Sequence, residues 1–181
     1  MNKNISEENI LEVLGADTEK AFRLIVEKYG SKVYWHARRL VITHDDADDV
    51  VQNTFINVWK NIGRFRNESS IYTWIYTIAT NESLSLIKKR EKLSSVPLDS
   101  LDNIFSQAGE GDTWFDGDEA ERKLQEAVLK LPEKQMVVFK MKYFEEMSYE
   151  DMSRILNTSV GALKASYHHA VKKIELFISG D

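Results

Sequence analysis

Four carboxylates crowd into five positions at Asp45, Asp46, Asp48 and Asp49, and two imidazoles stand side by side at His168 and His169. Either group offers metal-ligating chemistry. The aspartates lack the glycine that a calcium loop needs for its sharp turn. Adjacent helical residues point about 100° apart, so the two histidines do not converge on one ion, and no third ligand accompanies them. At the head of a helix the same aspartates are favoured by the helix dipole instead. The chain has no phosphate loop, zinc-helix motif or nucleophile triad. With no cysteine, thiolate metal sites, cysteine nucleophiles and disulfides are excluded together. The expectation is a protein without a catalytic centre, a cofactor or a metal.

The chemistry that remains is recognition. In "EDMSRILNTSVGALKASYHHAVKKI", Glu150 to Ile174, Ser148 and Asp151 form a capping-box-like start for a short helix with Met152, Ile155 and Leu156 inward. Asn157 suits the left-handed residue that ends it. Ser159 then caps a long helix whose buried stripe is Val160, Leu163, Tyr167, Ala170, Val171 and Ile174. The opposite face presents Gly161, Ala162, Lys164, Ala165, His168 and Lys172. Small side chains let the backbone enter a major groove, and Lys164, His168 and Lys172 are placed to meet phosphates or base edges. An ordinary helical hairpin with a solvated face has the same pattern.

The elements that position this pair are helical throughout. Apolar residues recur at helical spacing in four stretches of the first half: Ala21–Tyr29, Val33–Val41, Ala47–Trp59 and Ile71–Ala79. These read as four amphipathic helices, with Gly30 and Gly63 at connections and Trp59 turned to the core. In the second half, Leu124, Ala127, Val128 and Leu131 share a face, Pro132 stops that helix, and Met136 to Phe144 form the next. The fold class is all-α: two small helical domains joined by an acidic linker, the second with a helix-turn-helix.

The chain has 181 residues, is 43% hydrophobic and carries a net charge of −5, an unpromising balance for contact with nucleic acid. The charge is uneven. Residues 1–90 net +1, residues 91–121 net −8 and residues 122–181 net +2, so the acidity sits in the middle and leaves two near-neutral lobes. That middle, with Pro97, Gly109, Gly111 and Gly117, reads as a flexible linker over 91–119, between domains at 1–90 and 120–181. Within it, Trp114 and Phe115 are two large aromatics among aspartates, suggesting a segment that packs between the lobes or a passive tether. No long apolar run and no signal-peptide pattern is present, which predicts a cytoplasmic protein with no membrane insertion.

"DDADDVVQNTFINVWKNIGRFRNESSIYTWIYTIATNESLSLIKKR", Asp45 to Arg90, resembles region 2 of bacterial sigma factors. "AERKLQEAVLKLPEKQMVVFKMKYFEEMSYEDMSRILNTSVGALKASYHHAVKKI" resembles their region 4. The size, the order of the lobes and the missing intermediate domain are similar to the extracytoplasmic-function group, and the resemblance covers about residues 20–90 and 120–177. It implies a promoter-specificity subunit that reads DNA while bound to core RNA polymerase, which removes the need for a basic total. A conventional repressor or activator needs a dimerising or ligand-binding domain that the first lobe does not resemble. A small helical hydrolase needs converging metal ligands that the scattered histidines do not supply.

The resemblance also assigns residues. Asp46, Asp49, Gln52 and Asn53 would dock on the coiled coil of the polymerase β′ clamp, with the β subunit as a further partner, through charge-assisted bonds to arginines. The loop "GRFRNESS", with Arg64, Phe65, Arg66, Asn67 and Ser69, would capture a base flipped from the melted −10 element. Phe65 also suits a core anchor, the favoured reading. Tyr72, Tyr76, Asn81, Lys88, Lys89 and Arg90 would face the −10 DNA, and Lys88–Arg90 equally suit a basic helix end. Ser159, Gly161, Ala162, Lys164, Ala165, His168 and Lys172 would meet the −35 duplex. Ser166 and Ala162 depart from the arginine and the polar residue common at these positions. An anti-sigma protein is a further partner the family allows.

Overall fold

The computed structural model describes residues 5–41, 43–93 and 119–180. The expected linker, including Trp114 and Phe115, lies outside the described residues, except that a helix reaches Leu93 and another starts at Glu119. The chain divides into two compact units, Met1–Lys89 and Arg90–Asp181, and no strand occurs among the described residues.

In the first unit, α1 (Glu7–Leu14), α2 (Thr18–Leu40) and α3 (His44–Asn61) lead through a single 3₁₀ turn, Ile62–Arg64, and a short loop to α4 (Ile71–Leu93). Side chains of Ser6, Asp17 and Thr43 cap the first three, accepting from Asn9 N at 3.1 Å, Lys20 N at 2.9 Å and Asp46 N at 3.1 Å. All of these elements contribute to one core of Ile10, Ala21, Ile25, Tyr29, Val33, Val58, Ile62, Ile71, Ile75 and Ala79. A smaller cluster, Ala37, Val41, Ala47 and Val50, ties the end of α2 to α3 under Leu86 and Ile87 of α4.

Two expectations are corrected here, and one helix is added. The stretches Ala21–Tyr29 and Val33–Val41 are not two helices: α2 runs through Gly30 without a break. Ala21, Ile25, Tyr29, Val33, Ala37 and Leu40 keep one buried stripe in phase across the glycine, and burial outweighs the roughly 1 kcal/mol that glycine costs a helix interior. Helix α1 was not anticipated; its Ile10 is fully buried. Trp59 is not a core residue. It is 48% exposed, lying edge-on to Phe22 with ring centroids 5.1 Å apart.

In the second unit, α5 (Glu119–Leu129), α6 (Glu133–Tyr143), α7 (Tyr149–Leu156) and α8 (Val160–Ser179) surround Val128, Phe139, Met141, Met152, Ile155, Leu163, Ala170 and Ile174. Tyr167 of α8 stacks on Phe139 of α6, with centroids 5.8 Å apart at 14°, which fixes the long helix against the unit. Pro132 lies just before α6 with φ −54° and ψ 141°, ending α5 by forcing the chain out of helical conformation.

Candidate nucleic-acid interface

The hinge between α7 and α8 is held by local chemistry. Ser148 Oγ accepts from Asp151 N at 3.0 Å and donates to the Asp151 carboxylate at 2.7 Å, an N-cap whose hydroxyl the carboxylate orients. Asn157 sits at φ 47°, ψ 47°, and Thr158 N reaches back to Ser153 O at 3.2 Å, which closes the helix end as a left-handed residue allows. Ser159 Oγ accepts from Ala162 N at 3.3 Å. Three residues, 157–159, therefore separate two well-terminated helices.

On α8, Ser159, Gly161, Ala162, Lys164, Ala165, His168 and Lys172 are all exposed, so the expected groove-facing set shares one free surface. Tyr149 was not foreseen. Its ring lies 5.7 Å from the Lys164 ammonium and 5.1 Å from that of Lys142, and Lys142 also donates to Met147 O at 3.1 Å. Burial pushes the Tyr149 phenol upward, keeping the ring a neutral cation–π partner. A tyrosine one residue past the Ser148 cap was the available signal.

In the first unit, the loop between the 3₁₀ turn and α4 borders a cleft of about 440 Å³ lined by Asn61, Arg64, Phe65, Arg66, Glu68, Ser69 and Trp74. That volume is in the range of roughly 300–1,000 Å³ typical of small-ligand sites. Phe65 and Trp74 pair with centroids 4.9 Å apart at 37°. Phe65 also packs against the core, so the anchoring and lining roles coexist. Arg64, Arg66 and Asn67 are exposed, and Asn67 turns the loop at φ 56°, a conformation asparagine tolerates. Asn61, Glu68 and Trp74 are lining residues that the sequence reading did not assign to this site.

Along α4, Tyr72 is half-buried, and Asn81, Lys88, Lys89 and Arg90 are exposed. Tyr76 is not available to a ligand. It is 5% exposed, wedged between Tyr72 at 4.2 Å and His36 at 4.7 Å. The Thr80 hydroxyl donates to Tyr76 O at 2.7 Å, so its single proton is used and His36 Nε2, 2.9 Å from Thr80 Oγ1, donates to that hydroxyl oxygen.

On α3, Asp49, Gln52 and Asn53 are exposed, whereas Asp46 is 3% exposed. Asp46 therefore leaves the docking set. It is one turn into the helix on the side facing α2, where its charge acts on the buried Arg38. Burial pulls the Arg38 guanidinium down, opposed by Tyr34 and Asp46, so the aspartate offsets a buried cation. Asn57 is also committed inward, donating to Glu82 at 2.7 Å.

Residues 25–93 match the family Sigma-70 region 2, and residues 121–174 match Sigma-70, region 4. The chain is 30% identical over 158 residues to the ECF RNA polymerase sigma factor SigW of Bacillus subtilis, covering 83% of this chain and 84% of SigW. The chain belongs to the extracytoplasmic-function (ECF) sigma factors. Like other members it is a promoter-recognising sigma factor for RNA polymerase. This ECF sigma factor is 28% identical over 183 residues to the ECF RNA polymerase sigma-E factor of Haemophilus influenzae, covering 97% of this chain and 96% of the relative. Its fold matches the sigma factor RpoE from Bartonella quintana, solved in complex with the anti-sigma factor NepR, at TM-score 0.64 and 23% identity over 90% of this chain and 99% of RpoE. Among the described residues, no helix is long and apolar enough to cross a membrane.

Proposed function

We propose that this sigma factor holds the β′ coiled coil of core polymerase through Asp49, Gln52 and Asn53, captures one unpaired −10 base in the cleft beside Phe65, and lays α8 in the major groove of the −35 duplex. The domains at 1–90 and 120–181 would divide these tasks, with 91–119 as the tether, and the protein would act in the cytoplasm. Binding energy, with no catalysis by this chain, would open and hold the promoter.

The observation that carries the reading is the cleft. Its Phe65–Trp74 pair offers a surface to the π-face of a base, and Asn61 and Ser69 supply amide and hydroxyl groups suited to a Watson–Crick edge. The exposed arginines 64 and 66 suit the strand's phosphates. Exposed Trp35, Ile56 and Trp59 support a protein partner of the first unit, consistent with core polymerase and with an anti-sigma protein such as the one bound by the Bartonella relative.

Run-off transcription with core enzyme on genomic fragments would first identify a promoter. Phe65→Ala should then weaken open-complex formation by about 1–3 kcal/mol, the worth of one stacked base, while −35 duplex binding stays unchanged. Equal open-complex formation by both proteins would remove the base-capture role.

A further inference from the structure

Helix α4 starts beside the cleft, and its first N–H groups are not left to water. The Glu7 carboxylate of α1 accepts from Ile71 N at 3.2 Å through one oxygen and from Tyr72 N at 3.1 Å through the other. Ser70 Oγ accepts from Thr73 N at 3.0 Å, and Trp74 N returns to Ser70 O at 3.1 Å. Every donor of the first turn is thus satisfied, two of them by a residue 64 and 65 positions earlier in the chain. The Tyr29 hydroxyl donates to Glu7 Oε1, and Tyr29 is itself core, so the carboxylate is steered from both sides. Residues 7–14 precede the part of the chain that matches Sigma-70 region 2.

We propose that Glu7 is a positioning residue for the −10 cleft: by capping α4 from outside, it sets where Tyr72 and Trp74 stand relative to Phe65. The physical reason is leverage. The cap is charge-assisted and aligned with the helix dipole, and it lies at the end of α4 that carries the Trp74 wall. Ser70 caps the turn from within the loop and Phe65 packs the loop against the core, whereas Glu7 adds a tie from the side of α1. The Tyr29 hydroxyl holds the same carboxylate, so the start of α4 is tied through Glu7 to α1 and α2. A glutamine at position 7 keeps the size but can accept through one atom only, presenting an N–H pair where the second amide needs an acceptor. It therefore separates positioning from packing.

This inference rests on the base-capture reading, and the experiment distinguishes their failures. Native and Glu7→Gln holoenzymes are compared on one promoter fragment, recovered by run-off transcription, with its −10 region held open by mismatches. The fragment is used intact and with an abasic site at each unpaired non-template position. The native protein should lose affinity at one abasic position. In Glu7→Gln that abasic penalty should shrink about tenfold, the size of a lost helix cap, with core-polymerase capture and −35 duplex affinity unchanged. Amide exchange at Ile71 and Tyr72 should rise in step. Tyr29→Phe, which keeps the backbone caps but frees the carboxylate, should give a smaller reduction of the same penalty, and it serves if Glu7→Gln does not fold. A native penalty that persists undiminished in the variants overturns the positioning role alone. No penalty in the native protein overturns base capture and this inference together.

Discussion

The Lys164 ammonium stands 5.7 Å from the centre of the Tyr149 ring, so a cation on the exposed side of α8 is steered by a side chain of α7. Removing the charge and removing its guide should have different effects. Lys164→Ala should weaken −35 duplex binding by a similar factor across sequences and reduce the salt slope by about one. Tyr149→Leu should keep the slope and cost less, about 0.5–1 kcal/mol. Salt titrations of duplex binding read both, and a change of sequence preference in Lys164→Ala would contradict a phosphate role.

Asp46 and Asp49 are three residues apart and should respond differently to substitution. Asp49→Arg reverses an exposed charge and should abolish core-polymerase capture with the melting temperature unchanged. Asp46→Asn removes one of the charges that offset the burial of Arg38 and should lower the melting temperature. Thermal unfolding and a pull-down of core enzyme, run on both variants, check the division.

Gly30 and Gly161 both leave open space where a Cβ would stand. Gly30→Ala should therefore stabilise the protein by about 0.5–1 kcal/mol, since it relieves the entropy cost of glycine inside α2 and meets nothing. Gly161→Leu should fold as well as the parent but lose −35 affinity by about tenfold, because a large side chain holds the backbone of α8 away from the groove. Denaturant titration and duplex binding separate the two outcomes.

Tyr29 gives an alkaline signature. Burial first, then its bond to Glu7 and the charge of that carboxylate, push the phenol well above its ordinary value of 10.0. The native state thus holds this proton more tightly than the unfolded chain does. Stability should be constant in this respect below pH 10 and fall above it, by at most about 1.4 kcal/mol per pH unit from this group. Tyr29→Phe should lack that share of the slope in unfolding measured from pH 9 to 11.

The helix-turn-helix was legible because its signals are local. Ser148 with Asp151, Asn157 and Ser159 are each capping residues acting within a few positions, and each makes the bond its type favours. Gly30 misled for the opposite reason: its preference is also local, but the stripe from Ala21 to Leu40 outweighs it through burial, which depends on neighbours from other helices. Trp59 was misplaced by treating α3 as having one wide apolar face. The core accepts Val50, Thr54 and Val58 and leaves the larger ring at the edge against Phe22.

The sequence by itself determined the all-α class, the two helical lobes, the caps of α7 and α8, and which side of α8 is free, because period and capping are properties of neighbours along the chain. Only the tertiary structure decided that Asp46 and Tyr76 are buried while Asp49 is exposed and Tyr72 is half-buried, since helical spacing gives a face but not which packed helix covers it. Tertiary structure alone also joined Glu7 to the start of α4, Trp74 to Phe65, and Tyr149 to Lys164. Each pair meets across different elements, and no pattern of a single helix specifies a carboxylate or ring that another helix delivers.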